Sequence, residues 1–180
     1  MADMKQFVLS GATAALLALP PTPAAAQEVF GGIYSHDVKT GITKSGFETG
    51  TSILVGVRGG RIEALRFVGR PSPYAFGSVN SEGNTNFATA GLGWKIGDRF
   101  YARPGIGLAV HDGPSHAVPG DGRIDFGSRI LFELEMGVGA QLSEAVSVEA
   151  NWVHLSHAKL FSPQNPGIDN IGIRLNYRFR

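Results

Sequence analysis

Through most of the chain apolar and polar residues alternate with a period of two, the mark of strands that bury one face. Ala88, Ala90, Leu92, Trp94 and Ile96 share one face, against Thr89, Gly91, Gly93 and Lys95. Gly97-Asp98 is a two-residue hairpin signal. The next strand sets Phe100, Ala102, Ile106, Leu108 and Val110 against Tyr101, Arg103, Gly105 and Gly107. Another sets the apolar series Ile130 to Leu142 against Glu133, Glu135, Gly137, Gly139 and Gln141. Beyond a short turn near 143–145, Val146, Val148, Ala150 and Trp152 oppose Ser147, Glu149, Asn151 and Val153. The last strand opposes Ile171, Ile173, Leu175, Tyr177 and Phe179 to Gly172, Arg174, Asn176 and Arg178.

Earlier strands are expected near Val29 to His36, Glu48 to Val57 and Ser72 to Asn80, which makes eight. The segment 58–71 fits least well. Its apolar piece, Ile62 to Val68, reads as a strand extended past a bulge at Gly59-Gly60. The links at 97–98 and 143–145 are short, whereas those at 37–47, 81–86, 111–128 and 157–167 are long and rich in Gly, Pro, Asn and Asp. In an eight-stranded meander the long links all fall at one end, the pattern of an outer-membrane β-barrel.

Alternation alone leaves open which face points inward, because a soluble barrel lines its interior with the apolar face. Three features favour the inverse arrangement. The strands run to about ten residues, enough for a tilted membrane span. The polar face mixes glycine with Glu133, Glu135, Glu149, Arg103, Arg174 and Arg178, as a narrow lumen of neutralising pairs requires. Tyr177 and Phe179 near the end of the last strand are placed like an aromatic girdle. The expected fold is therefore all-β, an eight-stranded antiparallel transmembrane β-barrel over residues 27–180.

Composition narrows the rest. Charged residues are 17 % of the chain and glycines number 25. No cysteine is present, which excludes a disulfide scaffold, a thiol nucleophile and thiolate metal sites. The net charge is +1 with scattered Lys and Arg, so nothing points to nucleic acid. Residues 1–26 read as a secretory signal: Lys5, then an apolar run from Phe7 to Leu19, then Ala24-Ala25-Ala26 as a small-residue cleavage site. That run is too short to span a bilayer.

The chemistry concentrates at the end of the chain. His154 and Ser156 share the parity of Val146, Val148, Ala150 and Trp152, and Asp169 shares that of Ile171, Ile173 and Leu175. All three therefore sit on the apolar face at the loop end of their strands. Base, nucleophile and acid types at one end of an apolar face suggest an enzyme that acts on the membrane itself. Positions i and i+2 of a strand lie about 6.6 Å apart, within reach of an imidazole and a hydroxyl. If His154 opposes Asp169, then Trp152 opposes Ile171, Val148 opposes Leu175, and Glu149 meets Arg174 inside the barrel. Asn170 faces the lumen and is the poorer acid. A bare H-x-S pair at a strand end also reads simply as the rim of the apolar band.

The pattern H-x-S-x-A-x-L, then N-P-G-I, then an alternating strand ending in an aromatic, resembles the lipid A 3-O-deacylase (PagL, acyloxyacyl hydrolase) family. The motif spans His154 to Asp169, and weaker similarity extends over most of the barrel, including Ala90 to Trp94. The resemblance implies an outer-membrane esterase that removes an ester-linked (3-O) hydroxyacyl chain from lipid A of lipopolysaccharide. It implies Ser156 as nucleophile, His154 as base, Asp169 as the acid orienting the histidine, and Asn165 as a donor to the oxyanion. The chain departs from the family pattern at His157, where Asn is usual, at Asp169, where the type enzyme has Glu and one fewer loop residue, and in Arg180 after the terminal aromatic. His157 is a second partner of the site or a lipid head-group contact on one reading, and an interfacial loop histidine on the other.

His111, Asp112, His116, Asp121 and Asp125 crowd one outer loop, but their spacing matches no familiar metal-ligand set. They read as solvated loop residues, and no metal or organic cofactor is expected. The expected partners are lipid A and the outer membrane, with a homodimer left open. The alternative to the enzyme is a non-catalytic outer-membrane barrel with a structural or envelope-recognition role.

Overall fold

The computed structural model describes residues 27–43, 47–116 and 122–179. The expected signal at 1–26, Asp121 and Arg180 lie outside the described residues. The strands are β1 (Glu28–Ser35), β2 (Thr51–Arg58), β3 (Ser72–Asn80), β4 (Phe87–Gly93), β5 (Ile96–Gly97), β6 (Phe100–His111), β7 (Ile130–Gln141), β8 (Val146–Ser156) and β9 (Ile168–Arg178). Neighbouring strands pair antiparallel, with β4 and β5 both against β6, and β1 pairs with β9, which closes the sheet into a barrel.

β4 and β5 are one spanning strand, so the barrel has eight. Both pair with β6 in a single register, Gly93 opposite Gly105 and Ile96 opposite Ala102. The ladder is interrupted between them at Pro104, which has no N–H to return to the facing strand. Only the Trp94 N–H to Pro104 carbonyl bond remains there, at 2.9 Å.

Two sequence expectations are corrected. Residues 63–68 form a short 3₁₀ helix, Glu63–Val68, not a strand extension, and none of its residues is buried. The ladder stops where the chain folds back on itself: the Gly59 N–H bonds to the Pro73 carbonyl and the Ile62 N–H to the Pro71 carbonyl. The intervening residues close on themselves, and Gly69 at φ 90° ends the helix. β2 begins at Thr51 instead of Glu48. The carboxylate of Asp37 takes the N–H groups of Phe47 and Glu48, at 2.9 and 3.0 Å, and holds that stretch in a loop.

The facing is inside-out relative to a soluble barrel. Ile33, Ile53, Leu108, Val138, Ile173 and Leu175 are exposed on the outer wall, while Glu133, Glu149 and Arg174 are fully buried in the lumen. A belt of apolar side chains around a charged interior is stable only if the outside is hydrocarbon. No helix among the described residues is long and apolar enough to cross a membrane.

Around Arg174 the lumen is filled with side chains. Arg174 donates through Nη2 to Glu135 (2.8 Å) and Asn151 (3.0 Å) and through Nε to the Tyr34 hydroxyl (3.0 Å). Its guanidinium also lies over Phe30, 4.5 Å from the ring centre. The expected opposition of Glu149 and Arg174 is present in the register. The closer ion pairs are different: Glu149 meets Arg103 Nε at 2.9 Å and Arg174 only at 3.9 Å. Glycines make room for these groups. A Cβ at Gly172 would come within 2.5 Å of the Tyr34 ring, and one at Gly139 within 2.6 Å of Tyr101.

Candidate active site

The β8–β9 register pairs His154 with Asp169, Trp152 with Ile171 and Val148 with Leu175. Because side chains alternate, this register puts His154, Ser156 and Asp169 on one face at the end of the hairpin that joins the long loop 157–167. There they form a continuous row. The His154 Nδ1 is 2.8 Å from Asp169 Oδ1, and the Nε2 is 2.9 Å from Ser156 Oγ. A carboxylate only accepts, so Nδ1 carries the proton and the Nε2 lone pair faces the serine hydroxyl.

Burial grades along the row. Asp169 is fully buried, His154 nearly so, and Ser156 is half-buried. The acid is shielded although it sits on the outward face, because the first long loop folds over it. Thr40 and Thr43 both donate hydroxyls to Asp169 Oδ2, the latter at 3.0 Å. The Val38 N–H also bonds to the Asp169 carbonyl, at 2.7 Å, and pins that loop to β9. On the other oxygen, Trp152 Nε1 donates at 2.9 Å beside the histidine. Its ring stacks on the imidazole, with centres 5.8 Å apart and planes 25° apart.

Gly167 belongs to the site by its lack of a side chain. It has φ 69°, and a Cβ there would lie 3.3 Å from the imidazole and 3.1 Å from the Thr43 methyl. Trp152, Thr40, Thr43 and Gly167 were not singled out in the sequence. Trp152 was findable, since it shares the parity of His154 two residues away. Thr40 and Thr43 precede Asp169 by more than a hundred residues and carry no local signal.

Asn165 stands in the same loop, and its Oδ1 accepts the His157 N–H at 3.0 Å. That leaves its Nδ2 as the donor half of the amide. His157 is fully buried, which rules out a contact with lipid head groups. Its Nε2 donates to the Phe126 carbonyl at 2.7 Å, and its Nδ1 accepts the Phe161 N–H at 3.5 Å. The Leu160 N–H returns to the His157 carbonyl at 2.9 Å. His157 therefore organises the loop that follows Ser156 and clamps it to the neighbouring loop before β7. The chain between them is tightly turned, with Ala158 and Lys159 both at positive φ, 52° and 60°.

In the outer-loop set around His111, Asp112 and His116 are exposed as expected, and His111 departs from that expectation. His111 is buried, bonded through Nε2 to the Ser128 carbonyl at 2.6 Å and packed on Phe126. Asp112 takes the Asn86 backbone and side-chain amides, and Asp125 takes the Gly127 N–H. These carboxylates serve as loop staples, and the reason is local: each sits where a backbone N–H would otherwise lack a partner.

Comparison with known proteins decides the family. The model of the family described as Lipid A 3-O-deacylase (PagL) matches residues 59–178. The lipid A deacylase PagL of Bordetella bronchiseptica is 33 % identical over 171 residues, covering 91 % of this chain and 92 % of that protein.

The chain belongs to the lipid A 3-O-deacylase family.

Solved structures agree on the architecture of this PagL-family barrel. The crystal structure of the outer membrane enzyme PagL matches with a TM-score of 0.59 at 19 % identity, over 84 % of this chain and 99 % of that one. Neisserial surface protein A matches with a TM-score of 0.51 at 14 % identity, over 84 % and 96 % of the two chains. At these identities the likeness speaks for the fold. Family and fold together place the protein in the outer membrane of a Gram-negative cell.

Proposed function

We propose that this PagL-family protein is a serine esterase that removes the 3-O-linked hydroxyacyl chain from lipid A, with Ser156, His154 and Asp169 as its catalytic groups. The observation that carries the reading is the row Asp169–His154–Ser156, with its two contacts of 2.8 and 2.9 Å, on the outward face of the barrel.

In this mechanism Ser156 Oγ attacks the ester carbonyl while His154 Nε2 takes its proton. The carbonyl π bond opens to an oxyanion, for which Asn165 Nδ2 is the donor. The tetrahedral intermediate collapses by breaking the bond to the sugar oxygen, which receives the proton from His154. Water then repeats the sequence on the acyl-serine: His154 takes its proton, hydroxide adds to the carbonyl, and the serine leaves with the proton returned. Asp169 keeps its charge throughout and holds the imidazole in the tautomer that leaves Nε2 free to accept.

The surroundings suit a lipid substrate. Ser156 pairs across the sheet with Phe132, and His154 with Leu134. The outward series on β7 continues through Met136 and Val138, both exposed, and Phe161 stacks on Phe132 with ring centres 6.2 Å apart. An acyl chain lying along β7 would keep its hydrocarbon in the membrane while its ester reaches the serine. Long loops mark the outer end of an outer-membrane barrel, so the row lies at the leaflet that holds lipid A.

A fluorophosphonate probe tests the nucleophile directly. Incubated with the folded barrel in detergent, it should add to one residue, and peptide mass mapping should place it on Ser156. His154→Ala should retain the fold and lose the adduct. Labelling elsewhere, or unchanged labelling of His154→Ala, would count against the mechanism.

A further inference from the structure

At the opposite end of the barrel from Ser156, the lumen opens into a cavity of about 400 Å³ lined by Glu28, Arg58, Arg61, Lys95, Arg103 and Arg178 together with small and polar residues. That volume falls in the range of small-molecule sites, roughly 300–1,000 Å³. The deacylase reading makes no use of this cavity. It lies between the short turns, the end that faces the periplasm in this class of barrel.

Its charge is unbalanced. Five of the lining residues are cationic and one is a carboxylate. That carboxylate is already shared: Glu28 Oε1 accepts from both Arg58 Nη1 and Arg103 Nη1, the latter at 2.7 Å. Arg103 has a second partner in Glu149, at 2.9 Å. Arg58 is poorer. Its side chain is 6 % exposed, its Nε and Nη2 make no hydrogen bond, and Glu135 is no nearer to Nη2 than 3.8 Å. A buried guanidinium fork with open donors beside a cavity is costly unless something accepts from it. Among the described residues the barrel wall offers only Glu135 Oε1, at ion-pair but not hydrogen-bond distance from Nη2, whereas an oxyanion entering from the periplasm would accept directly.

We propose that this mouth of the lumen is a binding site for a small soluble phosphate ester, with its phosphoryl oxygens on Arg58 and its charge balanced by Arg61, Lys95 and Arg178. A guanidinium matches phosphate in a fork, and lysine matches it as a point charge. The cavity has room for a phosphoryl group and part of what carries it. The cations sit around the inside of the mouth, not on the outer wall, so a soluble anion reaches them through water. A phospholipid headgroup would have to pull its chains across the rim of the barrel.

The test is calorimetric titration of the full folded barrel in non-ionic detergent with inorganic phosphate and with glycerol 3-phosphate, at constant ionic strength set by chloride. Saturable single-site binding is expected for both, tighter for the ester. Arg61→Glu should weaken it about tenfold or more. Arg66→Glu carries the same charge change on the same turn, outside the cavity, and should leave binding in place. Arg61 and Arg66 are both exposed, so neither variant threatens folding. Three results would overturn the proposal: no heat beyond the chloride control, equal weakening by the two variants, or a response to phosphatidylglycerol in nanodiscs with none to glycerol 3-phosphate. None of these readouts depends on deacylation, so the site and the esterase reading stand or fall separately.

Discussion

His154 and Asp169 face each other directly across β8 and β9, with Nδ1 2.8 Å from Oδ1. The acid's other oxygen is held by hydroxyls from a loop at the far side of the sequence, Thr40 and Thr43. The aspartate therefore works as a fixed point. Two groups on β8 share one of its oxygens and two groups on the first long loop share the other, which leaves it little freedom to turn away from the imidazole. A shorter acid than glutamate reaches His154 because the register places it directly opposite.

Thr40→Val should lower kcat with KM little changed. A hydrogen bond to a charged group contributes about 1.5–3 kcal/mol, and about 1.4 kcal/mol is a factor of ten in rate. A fall of about tenfold or more is expected, with Thr40→Ser close to wild type. Steady-state hydrolysis of a micellar acyl ester by the two variants checks it, and a fall confined to KM would point to a binding role.

His157→Ala should loosen the loop that follows Ser156. It leaves the Phe126 carbonyl without its buried donor, a loss of about 1–3 kcal/mol. Hydrogen exchange should speed up at residues 158–166 while the amides of β8 and β9 keep their protection. Unchanged exchange in that loop would mean that the bond to Phe126 does not hold it.

Glu48 ties the outer loops together. It bonds to His36 Nε2 (2.9 Å), to the N–H and hydroxyl of Thr85 (both 2.9 Å) and to the Ile124 N–H (3.0 Å). Burial pushes its carboxyl upward, but the bonds from His36, Ile124 and Thr85 outweigh that and hold it below its ordinary value of 4.5. A lowered carboxylate stabilises the folded state above the unfolded value and loses that contribution as pH falls through the folded one. Wild type should therefore melt above Glu48→Gln at neutral pH. The gap should close only below about pH 4.5, as followed by melting temperature across a pH series.

Arg174→Ala should destabilise the whole barrel, because it strands buried Glu135 and removes the ring contacts with Phe30 and Phe76. Breaking one side of a buried ion pair costs about 3–5 kcal/mol. Urea unfolding in detergent should show that loss as a lower midpoint.

Much of this architecture is legible in the sequence because period-two alternation is a direct imprint of a two-faced wall. The same parity puts His154, Ser156 and Asp169 on one face and Asn170 on the other. It could not show which carboxylate each lumen arginine meets, since Arg103 and Glu149 come together across the barrel interior, not along a strand. Nor could it show the 3₁₀ helix at 63–68, where apolar residues serve a turn and not a wall. Thr40 and Thr43 were invisible for a related reason: a long loop chooses its landing place through tertiary contacts alone. His157 reads as an anomaly in the motif and becomes intelligible only once the Phe126 carbonyl, thirty-one positions earlier, is seen to accept its Nε2–H.

The most direct measurement is the mass of lipid A from cells expressing the wild-type protein and the Ser156→Ala variant at matched outer-membrane levels. Wild type should convert lipid A to a species lighter by one hydroxyacyl chain, and Ser156→Ala, folded and inserted, should leave it intact. Identical lipid A from the two strains would contradict the account, whether neither removes a chain or both do.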